Sequence, residues 1–425
     1  MKIVLKNIAK IRSATVELNG ITVIAGENNT GKSTVGKALF SVFNSFYNID
    51  NQIFDERASS IENALDSFYI EYRGRFMSSE STEFARGIVE KYNNVSIDFE
   101  ELRNDLTDFL FHSSYSIKRD EKKVDELQFD ELVDKVADII SIPNTEILKN
   151  VVIKKLNVEF NDQVNNIYNE DPGYIELTIK DEPSFVTVFD NDIKEISFQH
   201  SLKTEVVYID DPFIIDDIRP RTVGYRYANY MDHKNHLRKK LYFRGHRYSI
   251  INEILTSNKL ENIYGKINNI CSGEIVTTKR NSLGYKKLDS EKVLNIKSIS
   301  TGLKTFVILK SLLENGALEN NGTIVLDEPE IHLHPQWQLL LAELIVLIQK
   351  EFNMHILLNT HSPYFMKAIE VFSAKYAIAD KCKYYLAHND GDSSIIFDVT
   401  SSPEEIYKLL ARPLQDLENM RFEDD

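Results

Sequence analysis

Three short apolar runs organise the start of the chain. KIVLKN and ATVEL alternate like paired strands, while ITVIAG (Ile21–Gly26) is apolar almost throughout and ends in glycine. A short unbroken apolar run is the pattern of a strand buried on both faces. After Gly31 the spacing turns helical, with Val35, Ala38, Leu39, Val42 and Phe43 on one face. From Ile49 to about Lys149 the chain is polar and helical in period without sustained heptads, so a long coiled-coil arm is not expected. Alternation returns between Gly173 and Tyr208, in YIELTIK, FVTVF and EVVYI, and predicts a small antiparallel sheet.

A second helical stretch is expected from about Val223 to Ile270, followed by a hairpin in EIVTTKRNSLGYKKL around Ser282-Leu283-Gly284. From Ser298 onward helices and strands alternate. Leu303–Leu313 reads as helix, TIVLD as strand, Pro335–Gln349 as helix, HILLN as strand and Pro363–Val371 as helix. Two short strands (KYYLAH, SIIFDV) and a final helical pair follow. The pattern predicts an α/β head with a large, mainly helical insertion and a small antiparallel sheet. The expected head comprises residues 1–50 and 204–425, with a basic helical segment at about 219–270; the insertion, residues 51–203, is helical and then β-rich.

Composition narrows the class. A chain of 425 residues exceeds one ordinary core, and 42% hydrophobic with 27% charged residues is the balance of a soluble globular protein. The opening MKIVLKNIAK lacks the long apolar core of a signal peptide, and no apolar run approaches the roughly 18 residues of a membrane span. Two cysteines, Cys271 and Cys382, are too few for a disulfide framework and fit a reducing cytoplasm, the expected location. The net charge of −15 argues against a simple nucleic-acid coat. Its distribution is uneven: Asn51 to His200 holds 32 acidic against 16 basic residues, whereas Arg219 to Arg247 holds nine Lys or Arg and only Asp232 against them. The two regions are expected to meet different partners.

Candidate chemistry begins at GENNTGKST, Gly26 to Thr34, which fits G-x-x-x-x-G-K-[ST] between a buried strand and a helix. Glycines at Gly26 and Gly31 let the backbone curl around Asn28, Asn29 and Thr30 so that successive N–H groups face phosphate oxygens at the helix N-terminus. Lys32 is placed to reach the β- and γ-phosphates, and the Ser33 hydroxyl, ahead of Thr34, to ligate magnesium. TIVLDEP then lifts Asp327 and Glu328 to a strand edge. There the first acid can hold magnesium through its water shell, and the second can orient and deprotonate an attacking water. In LLNTHSP an apolar strand delivers His361, whose imidazole could hydrogen-bond the γ-phosphate or that water. KSISTGLKT opens a helix with Ser300, Thr301 and Gly302, a hydroxyl and backbone N–H set suited to an anion or to plain capping. His332 and His334 stand two apart beside Pro335; zinc motifs on a helix need a spacing of four, so structural or interface roles are expected for them.

Phosphate loop, small-residue signature, LDEP and strand-borne histidine, in that order, resemble the ABC-type ATPase heads. DEPEIHLHP is similar to the form found in the soluble branch with SMC, RecF and the overcoming-lysogenisation-defect (OLD) ATPases. The motifs occupy the two ends of the chain. The resemblance implies ATP and Mg2+ as cofactors, Glu328 as catalytic base, His361 as switch histidine, and Glu330 to His334 as a loop along a dimer interface. It further implies that Ser300 and Gly302 cap the γ-phosphate held by a second copy, in a head-to-tail ATP-sandwich dimer or a higher oligomer. Departures are ISTGL in place of LSGGQ and no evident glutamine for the magnesium-sensing loop, where VVYIDDPF could place Asp210 or Asp211. The OLD nuclease domain is not expected in the roughly sixty residues after His361, where DGD (Asp390–Asp392) is turn-like. An OLD-like ATPase of this kind resembles stand-alone ATPase subunits of the Septu, retron and PARIS anti-phage systems, implying a separate nuclease subunit. The alternative is a RecF-like repair ATPase that binds DNA or RNA itself. Its footprint would be Arg238, Lys239, Lys240, Arg244 and Arg247, with Tyr242 and Phe243 interleaved. The same residues also fit a solvated helix face or a partner for the acidic insertion.

Overall fold

The buried run Ile21–Gly26 lies in the middle of a large sheet, with every residue inaccessible to solvent. The structure, a computed structural model, describes residues 1–73, 80–93, 95–112, 126–199, 201–218, 231–242, 261–278, 282–288 and 290–423. They form two compact units, residues 1–47 with 152–425, and residues 48–151.

In the larger unit, β1 (Lys2–Ile8) and β2 (Ile11–Glu17) pair antiparallel, and β3 (Ile21–Gly26) leads into α1 (Lys32–Phe46). β4 (Gly173–Ile179), β5 (Glu182–Phe189) and β6 (Asp192–Ser197) form an antiparallel meander whose first strand pairs with β1. This meander is therefore an extension of the large sheet. The third strand expected in it, EVVYI, is elsewhere: β7 (Val206–Ile209) is buried throughout and runs parallel to β11 (Thr323–Asp327). Parallel strands buried on both faces carry no alternation, and a four-residue apolar run fits either sheet until its neighbour is known.

The small separate sheet is built from β8 (Gly273–Thr277), β9 (Leu283–Lys287) and β10 (Val293–Asn295). Its hairpin pairs Thr277 with Leu283, so Leu283 and Gly284 belong to a strand and not to the turn. α8 (Thr301–Glu314), α9 (Pro335–Phe352) and α10 (Pro363–Lys375) alternate with β11 and β12 (His355–Thr360). β13 (Cys382–Asp390), β14 (Ser393–Asp398) and α11 (Glu404–Glu423) close this unit. α11 is one helix with Pro413 inside it, where a helical pair was expected. The sheet order is β6-β5-β4-β1-β2-β14-β13-β3-β12-β11-β7, and β13, β3, β12, β11 and β7 are mutually parallel.

Close packing of α1 on the sheet depends on one small residue. A Cβ on Gly36 would stand 2.8 Å from Val325 Cγ1 and 3.3 Å from the Tyr208 ring. Asn44, one helical face further along, is tied to β7 by accepting from Val206 N at 2.7 Å and donating to Val206 O at 3.1 Å. Among the buried side chains are Val23, Leu326, Ile356 and Leu358 from the strands and Phe306, Leu344 and Phe365 from the covering helices. Each fully buried aliphatic side chain contributes about 1.5–3 kcal/mol.

The smaller unit is helical and has its own core. α2 (Ile49–Arg73), α3 (Glu80–Lys91), α4 (Phe99–Thr107) and α5 (Glu126–Ser141) contribute Leu65, Ala85, Leu102, Leu106 and Val136 to it, and α6 (Asn144–Phe160) leads back to the larger unit. No described helix is long and apolar enough to cross a membrane.

Candidate functional site

The loop between β3 and α1 curls because its backbone visits left-handed space. Asn29 has φ 60° and Gly31 φ 78°, and a Cβ on Gly31 would meet Ile11 Cδ1 at 2.6 Å. Only glycine tolerates both the angle and the approach. Thr30 Oγ1 donates to Glu27 O at 2.8 Å and holds the curl. Lys32 is 5% exposed, and its ammonium donates to Gly26 O at 3.0 Å and Glu27 O at 2.8 Å across the loop. Burial lowers its pKa, opposed by the carboxylates of Glu328, Asp327 and Glu330. Ser33, the next residue, is exposed in the first turn of α1.

β11 and β12 supply the facing groups. Glu328, just past β11, has φ 49°, an uncommon angle for a residue with a side chain. Its N–H donates to Asn359 O at 2.9 Å, which fixes the bend. The carboxylate Oε1 then lies 3.8 Å from Lys32 Nζ and 3.4 Å from His361 Nδ1. Asp327 is buried, and both of its oxygens are held. Tyr208 OH donates to Oδ2 at 2.7 Å, and Asn359 Nδ2 donates to Oδ1 at 2.9 Å. Burial, with the nearby charge of Asp327, pushes the Tyr208 phenol well above its ordinary pKa, so it stays a donor. Asp210, Asp211, Asp327, Glu328 and His332 line a cleft of about 40 Å³ at this edge.

Lys32, Glu328 and His361 thus form one cluster, with Asp327 at the adjacent strand end. Ser300, Thr301 and Gly302 lie apart from it, at the start of α8. A Cβ on Gly302 would be 3.1 Å from His332 O and from the Trp337 ring, so this turn packs on the loop that follows β11. The Ser300 side chain makes no capping hydrogen bond. Glu330 turns inward: it is 2% exposed, its Oε1 accepts from Thr360 Oγ1, and burial raises its pKa. His334 caps α9 by accepting from Gln336 N at 3.3 Å, and His332 packs edge-on against Phe213 at 5.7 Å. Among the described residues no group of three or more His, Cys, Asp or Glu could hold a metal.

Two contributors went unsingled in the sequence. Asn359 is a polar residue inside the apolar run HILLN, and Tyr208 is the one hydroxyl-bearing residue in β7. A polar side chain within a strand buried on both faces needs a partner, and that was the available signal. Asp210, proposed for the magnesium-sensing loop, faces His233 Nε2 at 3.0 Å and Lys234 Nζ at 3.3 Å. Asp211 caps a short turn by accepting from Phe213 N at 2.8 Å. The basic helix α7 (His233–Tyr242) is partly engaged as well. Arg238 donates to Asn235 Oδ1 at 2.9 Å and lies 3.9 Å from Asp217, Lys240 bonds Glu205, and Lys239 is exposed. Arg244 and Arg247 lie outside the described residues.

A phosphate loop at the end of a central parallel strand, with an acidic strand end two strands away, is the arrangement of the phosphate-loop nucleoside triphosphatases. The chain belongs to the AAA ATPase domain family, which matches residues 1–366. Among curated proteins it is 27% identical over 142 residues to a Vibrio cholerae serotype O1 biovar El Tor protein described as a probable ATPase of retron Vc95. That match spans 28% of this chain and 27% of the relative's length. Among solved structures, the SMC head domain from Thermotoga maritima has a TM-score of 0.36 at 12% identity, covering 94% of this chain and 98% of that one. The Smc head domain with an extended coiled coil from Pyrococcus furiosus, bound to the C-terminal domain of ScpA, has a TM-score of 0.41 at 12% identity, covering 99% and 98%.

Proposed function

We propose that the chain hydrolyses ATP bound at Gly26–Thr34, with Glu328 as general base, and that this hydrolysis gates or senses for a separate nuclease in a bacterial anti-phage system. The observation that carries the chemical part is the contact of Glu328 with both Lys32 and His361. Glu328 takes a proton from water as its oxygen attacks the γ-phosphorus. The bond from that phosphorus to the β-bridging oxygen breaks, and ADP leaves with the electron pair. Lys32 lies along the loop to meet the β- and γ-phosphates, and His361 hydrogen-bonds the γ-phosphate or the water.

The residues fit a magnesium ion. Ser33 offers an exposed hydroxyl in the first turn of α1, and each oxygen of Asp327 accepts one hydrogen bond and keeps a further lone pair. Magnesium, when bound, neutralises charge on the phosphates. The free Ser300 hydroxyl and the first N–H groups of α8 would cap the γ-phosphate of a second copy in a head-to-tail dimer. The defence role rests on the retron relative. Direct DNA binding through α7 has less support, since Arg238 and Lys240 already have acidic partners.

Light scattering with ATP tests the dimer, and affinity capture from the native cell with ATP bound tests the partner. A dimer that co-purifies with a nuclease subunit is expected. A monomer with ATP overturns the shared site, and recovery of DNA without a protein partner overturns the defence role in favour of repair.

A further inference from the structure

Four walls immobilise the Tyr208 ring. It stacks on the His233 imidazole at 4.4 Å with 26° between planes, meets Phe40 edge-on at 6.4 Å, and leaves no room for a side chain at Gly36. The fourth wall is the strand pair itself, which sets Tyr208 opposite Val325. His233 is in turn fixed from both sides. Its Nδ1 lies 2.6 Å from Glu159 Oε1, its Nε2 3.0 Å from Asp210 Oδ2, and its backbone N–H donates to Glu159 Oε2 at 3.0 Å. The stack therefore joins the start of α7 to the phenol that holds Asp327 Oδ2.

We propose that Tyr208 is a positioning residue for the divalent cation, aiming the Asp327 carboxylate at the metal's water shell, and that His233 sets it by fixing the phenol. This rests on the reading of Asp327 as the magnesium acid. A carboxylate with one oxygen released can rotate about its Cβ–Cγ bond, and that rotation must be lost again each time metal binds. Asn359 holds the other oxygen, so release by one donor is partial. Groups that orient a metal-binding side chain typically change metal affinity about 10–100-fold when removed.

The test is Mn2+ affinity, read by electron paramagnetic resonance of free Mn2+ in the presence of a non-hydrolysable ATP analogue. Tyr208→Phe keeps the ring and its stack on His233 but removes the donor. We expect Mn2+ binding about tenfold weaker, with analogue affinity in EDTA unchanged. His233→Gln, which keeps a donor but loses the stack, is expected to weaken Mn2+ binding in the same direction, and it carries the test should Tyr208→Phe fold poorly. Unchanged Mn2+ affinity in both variants overturns the inference. Asp327→Ala separates the two readings: if it too leaves Mn2+ affinity unchanged, the site assignment itself is wrong; if it alone weakens binding, only the positioning role is.

Discussion

Replacing Glu328 by glutamine removes one charge from the centre of the site and leaves its shape. Loss of a general base costs about 10²–10⁴ in rate, or about 3–5 kcal/mol of barrier. The structure predicts the opposite sign for binding. Glu328 Oε1 is 3.8 Å from Lys32 Nζ, an attraction on the order of 4 kcal/mol at an effective dielectric of about 20, before the solvation of either charge is subtracted. Without that partner the ammonium is freer to meet phosphate, and its bonds to Gly26 O and Glu27 O do not involve Glu328. Glu328→Gln should therefore lower turnover at least ~10²-fold while ATP binds as tightly as before, or more tightly. Phosphate release under saturating ATP gives the rate, and fluorescence titration with a labelled nucleotide gives the affinity. Turnover close to wild type would refute the assignment of the base. A loss traced wholly to weaker binding would show that Glu328 supports the loop and not the chemistry.

Gly36→Ala should destabilise the larger unit by about 1–3 kcal/mol through overpacking against Val325 and Tyr208, lowering the thermal midpoint; an unchanged midpoint would show that α1 can lift freely. Glu343 is buried, yet hydrogen bonds from Lys266, Tyr376 and Lys375 outweigh that burial and hold its pKa at about 2. Because the folded pKa lies below the ordinary value of 4.5, its contribution is full above that value and fades as pH falls towards 2. Glu343→Gln should cost at most about 3 kcal/mol near neutrality, with urea unfolding showing the gap to wild type narrowing as the solution is acidified. Neutralising Arg238, Lys239 and Lys240 together should flatten the salt dependence of any DNA affinity if α7 contacts phosphates; an unaltered slope would remove α7 as a nucleic-acid surface.

Contiguous sequence was enough for the parts whose physics is local. The curl at Gly31 needs a residue without a side chain, the start of α9 needs Pro335 where a missing N–H does no harm, and the apolar runs of β3, β11 and β12 can only be buried. Each is a constraint within a few residues, so spacing alone reveals it. Tertiary structure decided what depends on strand order. β7 had the composition of the nearby meander, but only its pairing with β11 brings Tyr208 to Asp327, 119 positions away. Asn359 meets the other oxygen because β12 lies on the far side of β11, and the left-handed turn at Glu328 is held by a bond to that same residue. Glu330, polar in a run that looks exposed, is buried because Thr360 waits for it on β12. Hydrogen bonds between side chains distant in sequence leave no periodicity in the chain, so a reader of the sequence sees the acids and not what aims them.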